Sequence, residues 1–273
     1  MEIGHLLAKK WNDAHQEAGS KPTAMGTKFR YSAAHSCSRQ QAYRALGAEE
    51  TEPFDVASSW VTGIGEIIHE KLQDAILEVY PDAQFEVASQ VNEHLSGSCD
   101  GLLTHGGEKV LIEIKTRGQY PWQKETGIGQ YKQTQPAGPS LAAVAQAGMN
   151  ALGLEAEYVC MVSLAKEAVS VTKAAKMGIT DPYERFAAEW WIPREEWEPL
   201  ALREVERISL IAESLEEGVL PLPVVVDDNG SQLAIKYKSY WACDYCAFAS
   251  TCAVDGNAAI PVSLSAYKMK EEA

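Results

Sequence analysis

The feature that most constrains this fold is the stretch GSCDGLLTHGGEKVLIEIKT, residues 97–116, which predicts two strands joined by a tight turn. Gly106 and Gly107 suit the centre of a two-residue β-hairpin, because that turn needs positive φ angles. With these glycines at the centre, opposed residues have numbers that sum to 213. Asp100 is therefore predicted to face Glu113 across the hairpin, with Cβ atoms about 5 Å apart.

Polar side chains are predicted to converge on one face of this hairpin. Lys115 is two residues beyond Glu113 on the same strand, so both point to the same side as Asp100. Val110, Ile112, Ile114 and Leu103 form the apolar opposite face. Two facing carboxylates repel, so a positive group is expected between them. That group is either Lys115, in a cross-strand salt bridge, or a divalent cation such as Mg²⁺ or Mn²⁺, which prefers oxygen ligands.

Four of the six cysteines form a second pattern. Cys243, Cys246 and Cys252 have the spacing C-x2-C-x5-C, and Cys37 lies far upstream in HSCSRQQAYRA. The N-terminal residues lack the long apolar core of a secretory signal, which predicts a cytoplasmic protein (host cytoplasm if phage-encoded) with reduced thiols. The four cysteines are therefore expected to bind metal, and a zinc site with four thiolates is one candidate.

The charge distribution gives a mixed indication about nucleic acid. The net charge of −14 argues against non-specific binding to DNA. Residues 1–44, however, carry seven Lys/Arg against three Asp/Glu, and residues 109–132 carry five against two. The segment TRGQYPWQKETGIGQYKQTQ (116–135) is predicted to be a loop whose cations and aromatic rings suit single-stranded DNA. The predicted contacts are Arg117, Tyr120, Trp122 and Lys124.

Hydrophobic periodicity and turn residues predict a mixed α/β protein. Helices are expected at 3–18, 32–47 (with Ser32 as N-cap), 58–80, 139–154 and over most of 183–218. Strands are expected at 85–91, on both sides of the turn at 105–108, and at 156–164, while the cysteine-rich tail is expected to be loop-like. This order favours a mixed sheet flanked by helices, with Cys99 and Cys160 buried in strands. No apolar run reaches the roughly 20 residues that span a bilayer.

GSCDGLL followed by VLIEIKT resembles the Asp…Glu-x-Lys signature of the PD-(D/E)XK nuclease superfamily. One cysteine before this core and three after it resemble the RecB-like iron–sulfur branch, which includes the CRISPR-associated exonucleases of the fourth Cas family and their phage relatives. The resemblance runs from about Tyr31 to Cys252. It implies one restriction-endonuclease-like domain (1–273), comprising an N-terminal helical segment (1–57), a nuclease core (58–182) and a C-terminal segment (183–273). The outer segments would form an iron–sulfur subdomain.

The resemblance also implies a role for each site residue. Asp100, Glu113, the Ile114 carbonyl and His69 would bind Mg²⁺ or Mn²⁺, with Lys115 and Gln146 completing the catalytic set. The family often has a tyrosine four residues after this glutamine, where this chain has Asn150. Cys37, Cys243, Cys246 and Cys252 would hold a [4Fe-4S] cluster.

The expected function is metal-dependent exonuclease action on DNA with single-stranded or frayed ends, in recombination, repair or CRISPR-type end processing. A second copy of the chain and a recombination or adaptation protein are further candidate partners. Two other functions stay open at this point. One is a catalytically weak DNA-binding adaptor of the same fold, and the other is a zinc-stabilised interaction module.

Overall fold

The computed structural model describes residues 28–52, 56–128 and 138–261, together with position 9. The predicted helix at 3–18 lies outside these residues, apart from that position. The chain divides into two compact units. The first is drawn from Met1–Gly63, Gln90–Gly97 and Leu202–Ala273, and the second from Ile64–Ser89 and Ser98–Ala201. The predicted boundaries at residues 57 and 182 stay predictions. None of the described helices is long and apolar enough to cross a membrane.

Helices and strands are interspersed along the described chain. The helices are α1 (Ser38–Ala45), α2 (Val56–Val79), α3 (Gln119–Thr126), α4 (Leu141–Leu154), α5 (Val171–Lys176), α6 (Arg194–Glu216) and α7 (Ala249–Asp255). Short 3₁₀ helices cover Tyr31–Ala33, Tyr183–Arg185 and Trp241–Tyr245. The strands are β1 (Phe29–Arg30), β2 (Val87–Asn92), β3 (Leu95–Cys99), β4 (Gly101–His105), β5 (Glu108–Arg117), β6 (Tyr158–Ala165), β7 (Ala187–Pro193), β8 (Val219–Leu220), β9 (Val224–Val226), β10 (Gln232–Ala234) and β11 (Ile260–Pro261).

The second unit is built on a four-stranded mixed sheet with the order β4-β5-β6-β7. Strand β5 pairs antiparallel with β4 and parallel with β6, and β7 pairs antiparallel with β6. The hairpin register places Gly101 opposite Ile112, which confirms the predicted pairing. Gly106 and Gly107 have φ angles of 60° and 91°, which the turn requires. The predicted mixed sheet is therefore present, with its hairpin in the predicted register.

The apolar face of the hairpin is buried under the long helix α2. Leu103, Val110, Ile112, Ile114 and Cys160 form one buried cluster, against which Leu72 and Ile76 of α2 pack. The spacing of these helix residues places them on one side of α2. Both Cys99 and Cys160 are buried, as predicted.

Helix α4 belongs to the same unit, and its packing depends on a glycine. Ser140 caps the helix by accepting a hydrogen bond from the backbone N–H of Ala143. A Cβ at Gly148 would lie 3.0 Å from the Cβ of Ala201 and 3.2 Å from Cε3 of the buried Trp197. The missing side chain thus permits close contact between α4 and the first turns of α6.

The sequence predictions need correction in several places. The helix predicted at 32–47 begins at Ser38, because His35 has a φ of 61° and Cys37 occupies the N-cap in place of Ser32. Strands β1, β3 and β8 to β11 were not predicted. Trp190 and Trp191 lie on β7 and not on a helix. Aromatic side chains are favoured in strands, and β7 pairs with β6. The cysteine-rich tail includes a 3₁₀ helix and α7.

Candidate active site and cysteine pocket

Asp100 immediately precedes Gly101, the first residue of strand β4, where the pairing with β5 stops. Its Oδ2 accepts a hydrogen bond of 2.7 Å from the backbone N–H of Ile114. The N–H and C=O of one strand residue point to the same side, so the Ile114 carbonyl is presented on the Asp100 side of β5. The carboxylate and this carbonyl are the two oxygen donors predicted to lie together.

Glu113 is a buried carboxylate, with 1% of its surface exposed. Its Oε1 accepts hydrogen bonds from Lys115 Nζ at 2.6 Å and from Gln146 Nε2 at 2.7 Å. Lys115 Nζ also donates to Gln146 Oε1 at 3.1 Å, which closes a three-membered network. The second oxygen, Oε2, is buried and has no hydrogen-bond partner. A buried carboxylate oxygen without a partner is costly unless a ligand binds it.

His69 reaches the same site from helix α2. Its Nδ1 lies 3.6 Å from Asp100 Oδ1. One turn earlier, a Cβ at Gly65 would lie only 3.0 Å from Oγ1 of Thr116 on β5. The glycine therefore lets α2 approach the strand that carries Glu113 and Lys115.

The electrostatics of the site follow from this crowding. Burial raises the pKa of Glu113 from 4.5 to about 7; Lys115 opposes this increase and Asp100 adds to it. The Asp100 carboxylate beside the ring raises the pKa of His69 above its usual value, while burial opposes the increase. These four side chains therefore act on one another electrostatically, as a shared site requires.

The segment after β5 differs from the predicted loop, because residues 119–126 form helix α3. Trp122 is fully buried in a cluster with Val169 and Ala174, so the prediction that it stacks on DNA bases is wrong. Tyr120 and Lys124 are exposed on this helix. They stay candidates for DNA contact.

Arg117 continues the row of Glu113 and Lys115 along β5. It is held by Glu125, a largely buried residue of α3, through contacts of 2.8 Å from Nε and 2.7 Å from Nη2 to Oε1. The other carboxylate oxygen accepts a hydrogen bond of 2.9 Å from Ser163 on β6. The sequence does not predict the contacts of Glu125 and Ser163, because nothing local to either residue indicates them. They fix a guanidinium on the face that carries Lys115.

Asn150 occupies the position where the family often has a tyrosine. It is fully buried, donates to the Ser98 carbonyl and accepts from the Ser89 hydroxyl. The side chain therefore ties α4 to neighbouring backbone, whereas Gln146, one turn earlier, contacts the site.

The four cysteines of the C-terminal and upstream patterns line one pocket of the first unit. Cys37 is at the N-cap position of α1, Cys243 lies in the 3₁₀ helix Trp241–Tyr245, Cys246 follows it, and Cys252 lies in α7. All four thiols are free. Sequence positions up to 215 residues apart are thus brought together, as the metal-ligand prediction requires.

Arg39 is a fully buried cation beside this pocket. Its guanidinium donates to the backbone carbonyls of Pro221 (3.0 Å), Gly256 and Ala258. Burial raises the pKa of Cys252, and the nearby guanidinium, which hydrogen-bonds the sulfur, opposes that increase. These carbonyls are uncharged, so thiolates in the pocket would supply the counter-charge that a buried cation needs.

Within the described residues, no three His, Cys, Asp or Glu side chains are already arranged to hold a metal ion. The donors at both sites nevertheless fit the expected groups. Mg²⁺ is commonly held by one or two carboxylates and keeps several waters, so the two carboxylates and one carbonyl of the first site are sufficient. Oε2 of Glu113 has no hydrogen-bond partner, so it is available to bind such an ion. Thiolates in one pocket suit an iron–sulfur cluster or zinc.

The family comparison agrees with the geometry of the first site. A model of the PD-(D/E)XK nuclease superfamily matches residues 5–253. This chain belongs to the PD-(D/E)XK nuclease superfamily. The predicted superfamily is confirmed, and the mixed sheet flanked by helices is consistent with its restriction-endonuclease-like fold. A nuclease of this superfamily acts on DNA.

Solved structures give two further comparisons. A protein described as SSO0001 is 18% identical, with a TM-score of 0.49, and the match covers 92% of this chain and 96% of that one. An alkaline exonuclease (LHK-Exo) from Laribacter hongkongensis is 12% identical, with a TM-score of 0.37, and the match covers 77% and 96%. No curated protein matches this chain.

Proposed function

We propose that this nuclease is a Mg²⁺- or Mn²⁺-dependent, RecB-like exonuclease that hydrolyses DNA from an end and carries a [4Fe-4S] cluster. One observation supports the metal-dependent chemistry above all others. Glu113 is buried with an unpartnered oxygen, while its other oxygen holds Lys115 in place. A carboxylate so placed, next to Asp100, is suited to a divalent cation.

The residues that would hold this cation are Asp100, Glu113, the Ile114 carbonyl and His69. When bound, the ion supplies Lewis acidity, polarising the scissile phosphate and lowering the pKa of a water. Lys115 is fixed by Glu113 and Gln146, so its ammonium is already oriented toward charge that develops on the phosphate. Gln146 thus positions the lysine, and Arg117, held by Glu125, offers a second fixed cation for the phosphate backbone.

The cysteine pocket is proposed to hold the cluster through Cys37, Cys243, Cys246 and Cys252. Zinc sites usually contain paired C-x2-C knuckles, and Cys37 has no such partner nearby in the sequence. A cluster here would join α1 to the tail of the same unit. Loss of the ligands should therefore destabilise that unit, because metal binding and folding are coupled.

Digestion of end-labelled linear DNA, single- and double-stranded, with Mg²⁺ or Mn²⁺ tests the activity. We expect the wild type to shorten at least one of these linear DNAs from an end and to leave closed circular DNA intact. The Asp100→Ala, Glu113→Ala and Lys115→Ala variants should be inactive. Glu108→Ala, on the exposed turn of the same hairpin, is the matched control and should stay active. Full activity in the Glu113 and Lys115 variants would refute the proposed site. DNA binding without cleavage by the wild type would instead indicate an adaptor.

Metal analysis of anaerobically purified protein tests the second site. A [4Fe-4S] cluster should give about four iron and four sulfide per chain and a brown colour with absorbance near 400 nm. Cys37→Ser should lower that content, whereas Cys99→Ser, a buried cysteine outside the pocket, should not. Colourless protein with one zinc per chain would overturn the cluster assignment.

A further inference from the structure

The segment KYKSYWACDY, residues 236–245, carries three neighbouring rings, which we call the aromatic strip: the exposed Trp241 and Tyr245 and the half-buried Tyr240. Trp241 is 68% exposed and Tyr245 is 83% exposed. The ring centroids of Tyr240 and Trp241 are 5.8 Å apart, and those of Trp241 and Tyr245 are 6.3 Å apart. Large rings grouped in solvent in this way usually mark an interaction site, since burial would stabilise them.

Two lysines accompany the rings in a segment whose single acidic residue is Asp244. Residues 229–243 contain Lys236 and Lys238 and no Asp or Glu, although the whole chain carries a net charge of −14. Both lysines are exposed, and Nζ of Lys238 lies 5.4 Å from the ring centroid of Tyr237. Asp244, next to Tyr245, is the nearest acidic residue in the sequence. The strip is thus locally cationic on an acidic protein.

The backbone that carries the strip is held by its own hydrogen bonds. The Ser239 hydroxyl accepts from the Lys236 N–H and donates to the Lys236 carbonyl, closing a turn. Asn257 accepts a hydrogen bond from the Tyr237 N–H. The following 3₁₀ helix contains two of the three strip rings, Trp241 and Tyr245, and the pocket residue Cys243, while Tyr240 is its N-cap residue. The rings are therefore presented by an ordered turn that is continuous with the cysteine pocket.

We propose that the aromatic strip, with Lys236 and Lys238, binds single-stranded DNA by base stacking and phosphate contact. Exposed rings beside lysines are the combination that binds unpaired strands without sequence preference, because every base has a face to stack. In a duplex those faces are covered, so the strip should discriminate against blunt double-stranded DNA. This inference rests on the proposed function only in taking DNA as the substrate.

Binding is measured by fluorescence anisotropy of a labelled oligothymidylate, on the full chain with its native metal content. All proteins carry Glu113→Gln, so that cleavage does not deplete the probe. The double change Trp241→Ala and Tyr245→Ala should raise the Kd for the oligothymidylate at least about fivefold. Trp241→Phe should restore most of the affinity in the presence of Tyr245. The Kd for a blunt duplex should change less than about twofold in all variants, and we take a change below this threshold as no change.

The lysines and Asp244 give independent tests of the same surface. Lys236→Gln and Lys238→Gln should each reduce the slope of log K against log salt by about 0.7, the value for one phosphate contact on a single strand. Asp244→Asn should strengthen binding, because it removes the nearest negative charge. The matched control is Trp191→Ala, since Trp191 is 43% exposed but its indole N–H faces the Glu189 carboxylate. It should leave the Kd unchanged.

Hydrolysis of a small phosphodiester, bis(p-nitrophenyl) phosphate, separates this inference from the proposed function. The strip variants, made in the wild-type background, should hydrolyse it at the wild-type rate. Unchanged oligothymidylate affinity in Tyr245→Ala and the lysine variants would overturn the inference, even if the enzyme is an active nuclease. Equal losses for single strand and duplex would overturn it as well. Conversely, if the strip binds DNA but the protein shows no cleavage in any assay, the proposed function is refuted and this inference is not.

Discussion

Replacing Glu113 with glutamine should stabilise the protein at alkaline pH when no divalent ion is added. The buried carboxyl has a pKa of about 7 in the folded protein, against 4.5 in the unfolded chain. Between these values the folded state holds a proton that the unfolded state has lost, so the free energy of unfolding falls as pH rises. The full penalty is present above pH 7 and absent below pH 4.5.

The size of this penalty follows from the pKa difference. At 1.36 kcal/mol per pH unit, it is about 3 kcal/mol, and charge coupling with Lys115 makes this an upper value. Glutamine keeps an oxygen that can accept from Lys115 and Gln146 and carries no charge. Glu113→Gln should therefore raise the free energy of unfolding by up to about 3 kcal/mol at pH 8, and by little at pH 5.

Urea denaturation at pH 5 and pH 8, with and without Mn²⁺, measures these differences. Added Mn²⁺ should stabilise the wild type at pH 8 and stabilise Glu113→Gln less, because the substitution removes one of the two proposed carboxylate ligands. Glu108→Gln, on the exposed turn, should show no pH-dependent difference from the wild type. If Glu113→Gln is equally or less stable than the wild type at both pH values, the carboxylate is not under the strain described and the reasoning fails.

Further predictions concern packing, the cysteine pocket and the arginine clamp. Gly148→Ala should cost about 1–3 kcal/mol in urea denaturation through overpacking, while Gly138→Ala, with open space around it, should cost far less. Arg39→Gln should lower the metal content per chain measured by mass spectrometry, since it removes the buried cation beside the thiolates; unchanged content would contradict that role. Glu125→Gln should loosen Arg117 and raise the KM for DNA with less effect on kcat for a small phosphodiester, and an equal loss on both substrates would indicate misfolding instead.

The hairpin and its site could be predicted because the information is local. The two glycines set the turn, the turn sets the register, and the register places Asp100 against Glu113. The approach of His69 to Asp100 was implied only by the family resemblance, and the structure places the two side chains 3.6 Å apart. Their roles in catalysis stay predictions until the variants are measured.

The remainder depends on contacts that no local pattern reveals. Pro121, which precedes Trp122 in the sequence, is exposed, yet Trp122 is fully buried in a cluster with Val169 and Ala174, some fifty residues away. Trp190 and Trp191 precede a long acidic helix, and only pairing with β6 makes them a strand. The buried Arg39 has carbonyl partners about 180 to 220 residues further along the chain. Long-range packing decided each of these positions.

The hydrogen bond from the Ile114 N–H to Asp100 has a consequence for how this enzyme is mutated. The pairing of β4 with β5 stops at Gly101 and Ile112, and beyond it the Asp100 side chain accepts the hydrogen bond from the Ile114 N–H that a paired strand would otherwise accept. Alanine at position 100 removes a proposed metal ligand and also leaves the Ile114 N–H without its acceptor, so its phenotype mixes chemistry with local loss of structure. Asparagine retains the acceptor oxygen and discards only the charge, which makes it the cleaner probe of catalysis.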